Sequence, residues 1–144
     1  MTLRLQPYVR RCRVDLKVLL AADYANIEKQ GKINVMGVFD RISAVAFPAR
    51  HPEMVLVMKL SAGPAEYGRV RKLVVKLLNE DATQELVDWS RDLDVPPGSG
   101  GSVDINQFLT LRDLIFPAAG VYTFYVLVDN DEKGTLPITL ARSD

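Results

Sequence analysis

Apolar and polar residues alternate with a period of two along most of this 144-residue chain. In Val14-Asp15-Leu16-Lys17-Val18-Leu19-Leu20 the even positions are apolar. Met54, Leu56, Met58 and Leu60 share one face, and Val87, Trp89, Leu93 and Val95 alternate with Asp88, Ser90, Asp92 and Asp94 around Arg91. Tyr122, Phe124, Val126 and Val128 make a further row, and Leu136, Ile138 and Leu140 the last. Successive side chains on a strand point to opposite faces, so each run reads as a strand with one buried side. Clusters of Gly, Pro, Asn, Asp and Ser separate the runs, as in Asn79-Glu80-Asp81, Pro96-Pro97-Gly98-Ser99-Gly100-Gly101 and Asp129-Asn130-Asp131-Glu132-Lys133-Gly134. About eight strands result, at 14–23, 32–42, 53–62, 69–79, 84–95, 102–111, 120–129 and 134–141. Such spacing with little helical pattern predicts an all-β, antiparallel, two-sheet sandwich. Short helices are expected only at 23–29 and 111–116, and the cluster at 96–101 is the expected mobile loop.

The stretch Gln30-Gly31-Lys32-Ile33-Asn34-Val35-Met36-Gly37-Val38-Phe39-Asp40 raises the question of a phosphate loop. A P-loop needs a glycine five residues before its Gly-Lys pair and a Ser or Thr directly after the lysine. Those positions hold Asn26 and Ile33. Beyond the lysine the pattern alternates, with Ile33, Val35, Gly37 and Phe39 on one side and Lys32, Asn34, Met36, Val38 and Asp40 on the other. Gly31 is therefore a turn residue, and Gly37 inside the strand marks a bulge or a close approach of another backbone.

Toward the C-terminus, Pro117-Ala118-Ala119-Gly120-Val121-Tyr122-Thr123-Phe124 sets a tyrosine after a small-residue turn, two places before an inward aromatic. That is the arrangement of a tyrosine corner, and it makes the predicted sandwich immunoglobulin-like. Pro137 has no N–H to give a ladder, so the last strand is expected at an edge.

The segments LLAADYANIEKQGKINVMGVFDRI, FPARHPEMVLVMKL and AGVYTFYVLVDNDEKGTLPITL resemble a small family of uncharacterised bacterial domains. Its members share an ADYAN-like start, a GK-[IL]-N-x-x-G-[VI]-FD strand and a closing VLVD…G-x-LP hairpin. The resemblance spans roughly residues 18–141 and implies no activity, substrate or cofactor.

Charge is balanced overall at 18 basic and 18 acidic residues, but unevenly placed. Residues 1–79 carry a net +8 and residues 80–144 a net −8. Arg4, Arg10, Arg11 and Arg13 make residues 1–13 a basic arm, read as a solvated, flexible terminus, ahead of one domain over 14–144. No aromatic interleaving of the kind nucleic-acid platforms use accompanies it, so no nucleic-acid partner is expected. Lys72 and Lys76 share the outward side of one strand, and cross-strand pairing with Asp88, Asp92 and Asp94 would account for the asymmetry. The run from Val18 to Ala22 is too short to cross a membrane or to act as a secretory core, so a cytoplasmic protein is expected.

Candidates for chemistry are few. His51 is the only histidine and Cys12 the only cysteine. Nucleophilic catalysis would have to pass through His51, a loop residue beside Pro52, and no Gly-x-Ser-x-Gly elbow exists. The acids at 129–132 could offer oxygen ligands to calcium, but Asn and Asp before Gly are ordinary turn residues. No catalytic, cofactor-binding or metal-binding residue is assigned, and no cofactor is expected. Val74 and Leu78, like Met36 and Val38, are apolar residues in excess on outward strand faces, which points to partner contact or to a covering loop. The expectation is a non-catalytic interaction or accessory module, with a protein partner or self-association. The alternative is a small-ligand or divalent-metal binder, or an enzyme, working from end loops around Asp40, His51 and Asp129.

Overall fold

The computed structural model describes residues 13–143. The arm assigned to residues 1–13 therefore lies outside the described residues except for Arg13, as does Cys12. Among the described residues nine strands form: β1 Val14–Ile27, β2 Ile33–Phe39, β3 Arg41–Ala44, β4 Ala49–Ala62, β5 Val70–Leu78, β6 Glu85–Asp94, β7 Val103–Phe116, β8 Gly120–Val128 and β9 Asp131–Arg142. They make an all-β domain of two sheets, ordered β2-β1-β4-β7 and β3-β9-β8-β5-β6. Inward rows from both sheets share one core, which includes Met54, Leu56, Met58 and Leu60 from β4, Leu73, Val75 and Leu77 from β5, Tyr122, Phe124, Val126 and Val128 from β8, and Ile138 and Leu140 from β9. Gly134 lets the sheets approach closely, because a Cβ there would sit 2.6 Å from Leu16 of β1.

Several expectations are corrected. The run at 32–42 is two strands, because Asp40 carries the chain from the edge of one sheet to the edge of the other. The chain does not reverse there, so β3 pairs with β9 in parallel and the fold is not wholly antiparallel. The last strand is an edge only over its first two thirds, since β3 covers it from Thr139 onward. Beyond it Thr139 donates its N–H to the Asp40 carbonyl (2.8 Å). Residues two apart in a strand turn their N–H groups the same way, so Pro137 sits where the missing donor faces the uncovered side.

Both predicted helices are strand. Residues 23–27 extend β1 because Ala25 and Ile27 find Val35 and Ile33 across a hairpin. Residues 111–116 extend β7, with Leu111 opposite Met54 and Phe116 opposite Ala49. The three-residue step from Leu111 to Leu114 looked helical because Asp113 takes φ 55°, turning the inward side over, so that Leu111, Leu114 and Phe116 all pack on the core. Across-sheet pairing overrides local preference in both cases.

The Pro/Gly/Ser loop at 96–101 is pinned. The Tyr67 hydroxyl donates to the Gly101 carbonyl and accepts the Gly100 N–H. Tyr122 forms its corner as expected, donating to the Ala118 carbonyl (2.8 Å) and packing edge-on against Phe116.

Candidate interaction surface

Gly31 closes the turn between β1 and β2, with φ 90° and its N–H on the Glu28 carbonyl (2.9 Å). The hairpin does not run on in the plane of its sheet. Val18 lies opposite Lys59, and Lys59 lies opposite Asn106. A straight β1 would carry Gly31 about 40 Å beyond that row. Yet Asn106 Nδ2 donates to the Gly31 carbonyl (3.2 Å). The hairpin therefore folds back across the outward face of its own sheet.

The bend falls at Asp23 and Gly37, which the ladder skips between Ala22–Val38 and Tyr24–Met36. The register sum is the same on both sides, so no bulge is present. Gly37 has φ 71°, and the Asp23 carboxylate occupies the place a Cβ would take. The close approach is by a side chain rather than a backbone. On the face beneath, Ala22, Val55 and Val57 are buried yet separate from the shared core. They form a second apolar layer.

What the hairpin turns to solvent is also apolar. Tyr24, Met36 and Val38 are 54%, 65% and 61% exposed. Tyr24 of β1 stands opposite Met36 of edge strand β2, and Val38, opposite Ala22, is exposed across the bend at Gly37, so the apolar exposure runs along the hairpin and over its bend. Met36 and Val38 were visible in the sequence as surplus apolar residues. Tyr24 was hidden by the expected helix, and continuing the alternation Leu20, Ala22, Tyr24 would have placed it on the buried side, because the bend at Asp23 and Gly37 changes which side faces out.

Polar contacts neighbour the hairpin: Asn34 donates to Asn26 on it (3.0 Å), and on the sheet Lys17 and Lys59 flank Asp104 (3.3 and 3.6 Å) and Arg112 meets Glu53 (3.1 Å). Apolar side chains exposed beside polar ones are a feature of protein-binding patches.

The residues of the alternative do not converge. Asp40 lies beside Thr139, whereas Asp129 lies beyond the other end of β9, roughly 25 Å away along the strand. Asp129 is engaged, with Oδ1 accepting the Lys72 N–H (2.8 Å) and Oδ2 pairing with Arg71 (3.0 Å). Arg71 also holds Glu66, a buried carboxylate that accepts the Arg13 N–H as well (2.7 and 3.1 Å). Burial pushes the Glu66 carboxyl upward, but the Arg71 hydrogen bond, the Arg13 N–H and the charges of Arg71 and Arg69 outweigh it and leave it below the usual range. His51 lies half-buried against Phe39, ring centres 5.6 Å apart, with Nε2 buried and without a hydrogen-bond partner among the described residues. Among the described residues no group of three or more His, Cys, Asp or Glu is placed to hold a metal ion. No helix among them is long and apolar enough to cross a membrane.

Two sheets around one core, with an apolar strip on a folded-back hairpin, define an all-β domain with a candidate docking edge. The chain belongs to a family of unknown function, DUF6941, which it matches over residues 17–141. No curated protein matches it. Among solved structures it is similar, at 14% identity and a TM-score of 0.48, to the Pseudomonas fluorescens alkylpurine DNA glycosylase AlkC bound to DNA containing an abasic site analog. The match covers 89% of this chain and 30% of that one, so this chain spans under a third of that protein's length.

Proposed function

We propose that this protein is a non-catalytic interaction module, built on an immunoglobulin-like sandwich, that docks a protein partner through Tyr24, Met36 and Val38. The observation that carries the reading is the exposure of three large apolar side chains on one hairpin, Tyr24 on β1 and Met36 and Val38 on the edge strand β2. Leaving such a cluster in water costs free energy that association recovers.

The sandwich reading is supported by the hydrogen bond of Tyr122 to the fourth residue before it. It is supported also by strand order once the β2–β3 insertion is set aside. The first, second and fifth remaining strands (β1, β4, β7) then face the third, fourth, sixth and seventh (β5, β6, β8, β9).

The test is affinity capture from the native cell with three baits: the wild type, Y24S/M36S/V38S, and K72S/K76S on the other sheet. The wild type and K72S/K76S should retain the same co-eluting protein, and the strip variant should lose it. Equal retention by all three would sink the proposal.

A further inference from the structure

We infer that the protein docked on this hairpin inserts one cationic side chain, a lysine or an arginine, into a pocket beside Val38, with its charge held at Asp40. This rests on the docking reading and adds the chemistry of what docks.

The pocket holds about 240 Å³ and is lined by Leu20, Ala21, Val38, Phe39, Asp40 and Leu136. Leu20 and Ala21 belong to β1, Val38 and Phe39 to edge strand β2, and Leu136 to the part of β9 that β3 leaves uncovered. It therefore lies at the side of the sandwich, between the edges of the two sheets, where the chain crosses at Asp40. Pockets for whole small molecules run to roughly 300–1,000 Å³, so this one is sized for a single side chain. Val38, 61% exposed, belongs both to the pocket and to the apolar surface of the hairpin. A partner that covers Val38 reaches the mouth of the pocket.

Five of the six lining residues are apolar and the sixth is a carboxylate. The Asp40 carbonyl accepts the Thr139 N–H (2.8 Å), which fixes the backbone that carries this carboxylate. Asp40 is exposed, and among the described residues it makes no ion pair. Asp23, whose carboxylate lies against Gly37, makes none there either, so a second negative charge stands at the bend. A lysine or arginine complements such a lining, with its apolar stem along Leu20, Phe39 and Leu136 and its charge at Asp40. A partner that excludes water there strengthens the attraction, because Coulomb energy rises as the effective dielectric constant falls. An acidic side chain would be repelled by Asp40, and a purely apolar one would leave it covered and unpaired.

Amide NMR shifts of the wild type, titrated with n-butylammonium as a lysine side chain without its backbone, test the pocket itself. Shifts should appear at residues 20–21, 38–40 and 136 and saturate between about 1 and 100 mM, as so few atoms allow. D40N should bind the same probe about threefold or more weakly, and 1-butanol and butyrate should bind the wild type more weakly still. No shift at those residues, equal binding of butanol, or undiminished binding by D40N would overturn the inference. In the capture from the native cell, D40K should lose the co-eluting protein just as Y24S/M36S/V38S does. Its thermal unfolding should match the wild type, since Asp40 is tied into the fold by its carbonyl. Retention by D40K with loss by Y24S/M36S/V38S would remove the cationic side chain and leave the docking surface standing. Retention by both would end the docking reading and this inference together. A wild-type pocket that takes butylammonium only after Arg4, Arg10 and Arg11 are changed to serine would assign it to the chain's own basic end. A co-eluting protein that is only a second copy of the chain would assign it to self-association. Either result would overturn the partner named here.

Discussion

The outward faces of the two sheets solve the same problem differently. On β5 and β6, Lys72 stands opposite Asp92 and Lys76 opposite Asp88, with Val74 half-buried between Ser90 and Leu127. That face sets opposite charges across from one another along the ladder and can remain in water. On β1, β4 and β7 the outward face carries Ala22, Val55 and Val57, which are kept dry by the chain's own hairpin. Covering one apolar layer moves the exposure outward to Tyr24, Met36 and Val38. The difference teaches that a hairpin used as a lid dries one apolar layer while presenting apolar side chains of its own to solvent.

The comparison breaks most readily at the bend. Gly37→Ala would place a methyl group where Asp23 sits and hold an L-residue at φ 71°, so urea unfolding should show a loss of about 2–3 kcal/mol. Faster amide exchange at Val55 and Val57 should accompany it. If stability is unchanged, the hairpin does not depend on this fold-back.

Glu66→Gln removes the carboxylate that ties Arg71 and the start of β1 to the end of the core, and should cost about 2 kcal/mol in the same experiment. The folded-state carboxyl titrates below its unfolded value near 4.5. Its contribution is thus complete above that pH and fades as pH falls through the folded pKa. Wild type and variant should differ at pH 7 and converge in acid. A difference that grows in acid would contradict the assignment.

Tyr122→Phe keeps the ring on Phe116 and loses only the bond to Ala118, so thermal unfolding should register about 1 kcal/mol. The smallest effect belongs to the charged face. Lys76→Ala should change stability by less than about 0.5 kcal/mol, because Lys76 faces Asp88 across the ladder without a close ion pair and surface charges contribute little. A larger loss would mean that face is covered too.

Much of the core was legible in the sequence, because burial on one side of a strand imprints a period of two. The rows from Met54 to Leu60 and from Tyr122 to Val128 are buried as written. The corner at Tyr122 was legible because its partner lies four residues away. The Gln30–Asp40 stretch was legible as turn and strand for the same local reason. Three things were not. Residues 23–27 and 111–116 take their conformation from partners distant in sequence. The split at Asp40 leaves the alternation intact while changing sheets. The pinning of 96–101 depends on Tyr67, some thirty residues earlier.

The sequence alone determined that this chain is built of strands, which side of most of them is dry, and where its tightest turns fall. Those properties are set by neighbours within a few residues, whose side chains must alternate or whose backbone must bend. Only the tertiary structure decided that β1 and β2 fold back over their own sheet, that β3 lies parallel to β9, and that Tyr24 joins Met36 and Val38 in the open. Each of these depends on contacts such as Gly31 with Asn106, seventy-five residues apart, and no local pattern encodes a meeting at that range.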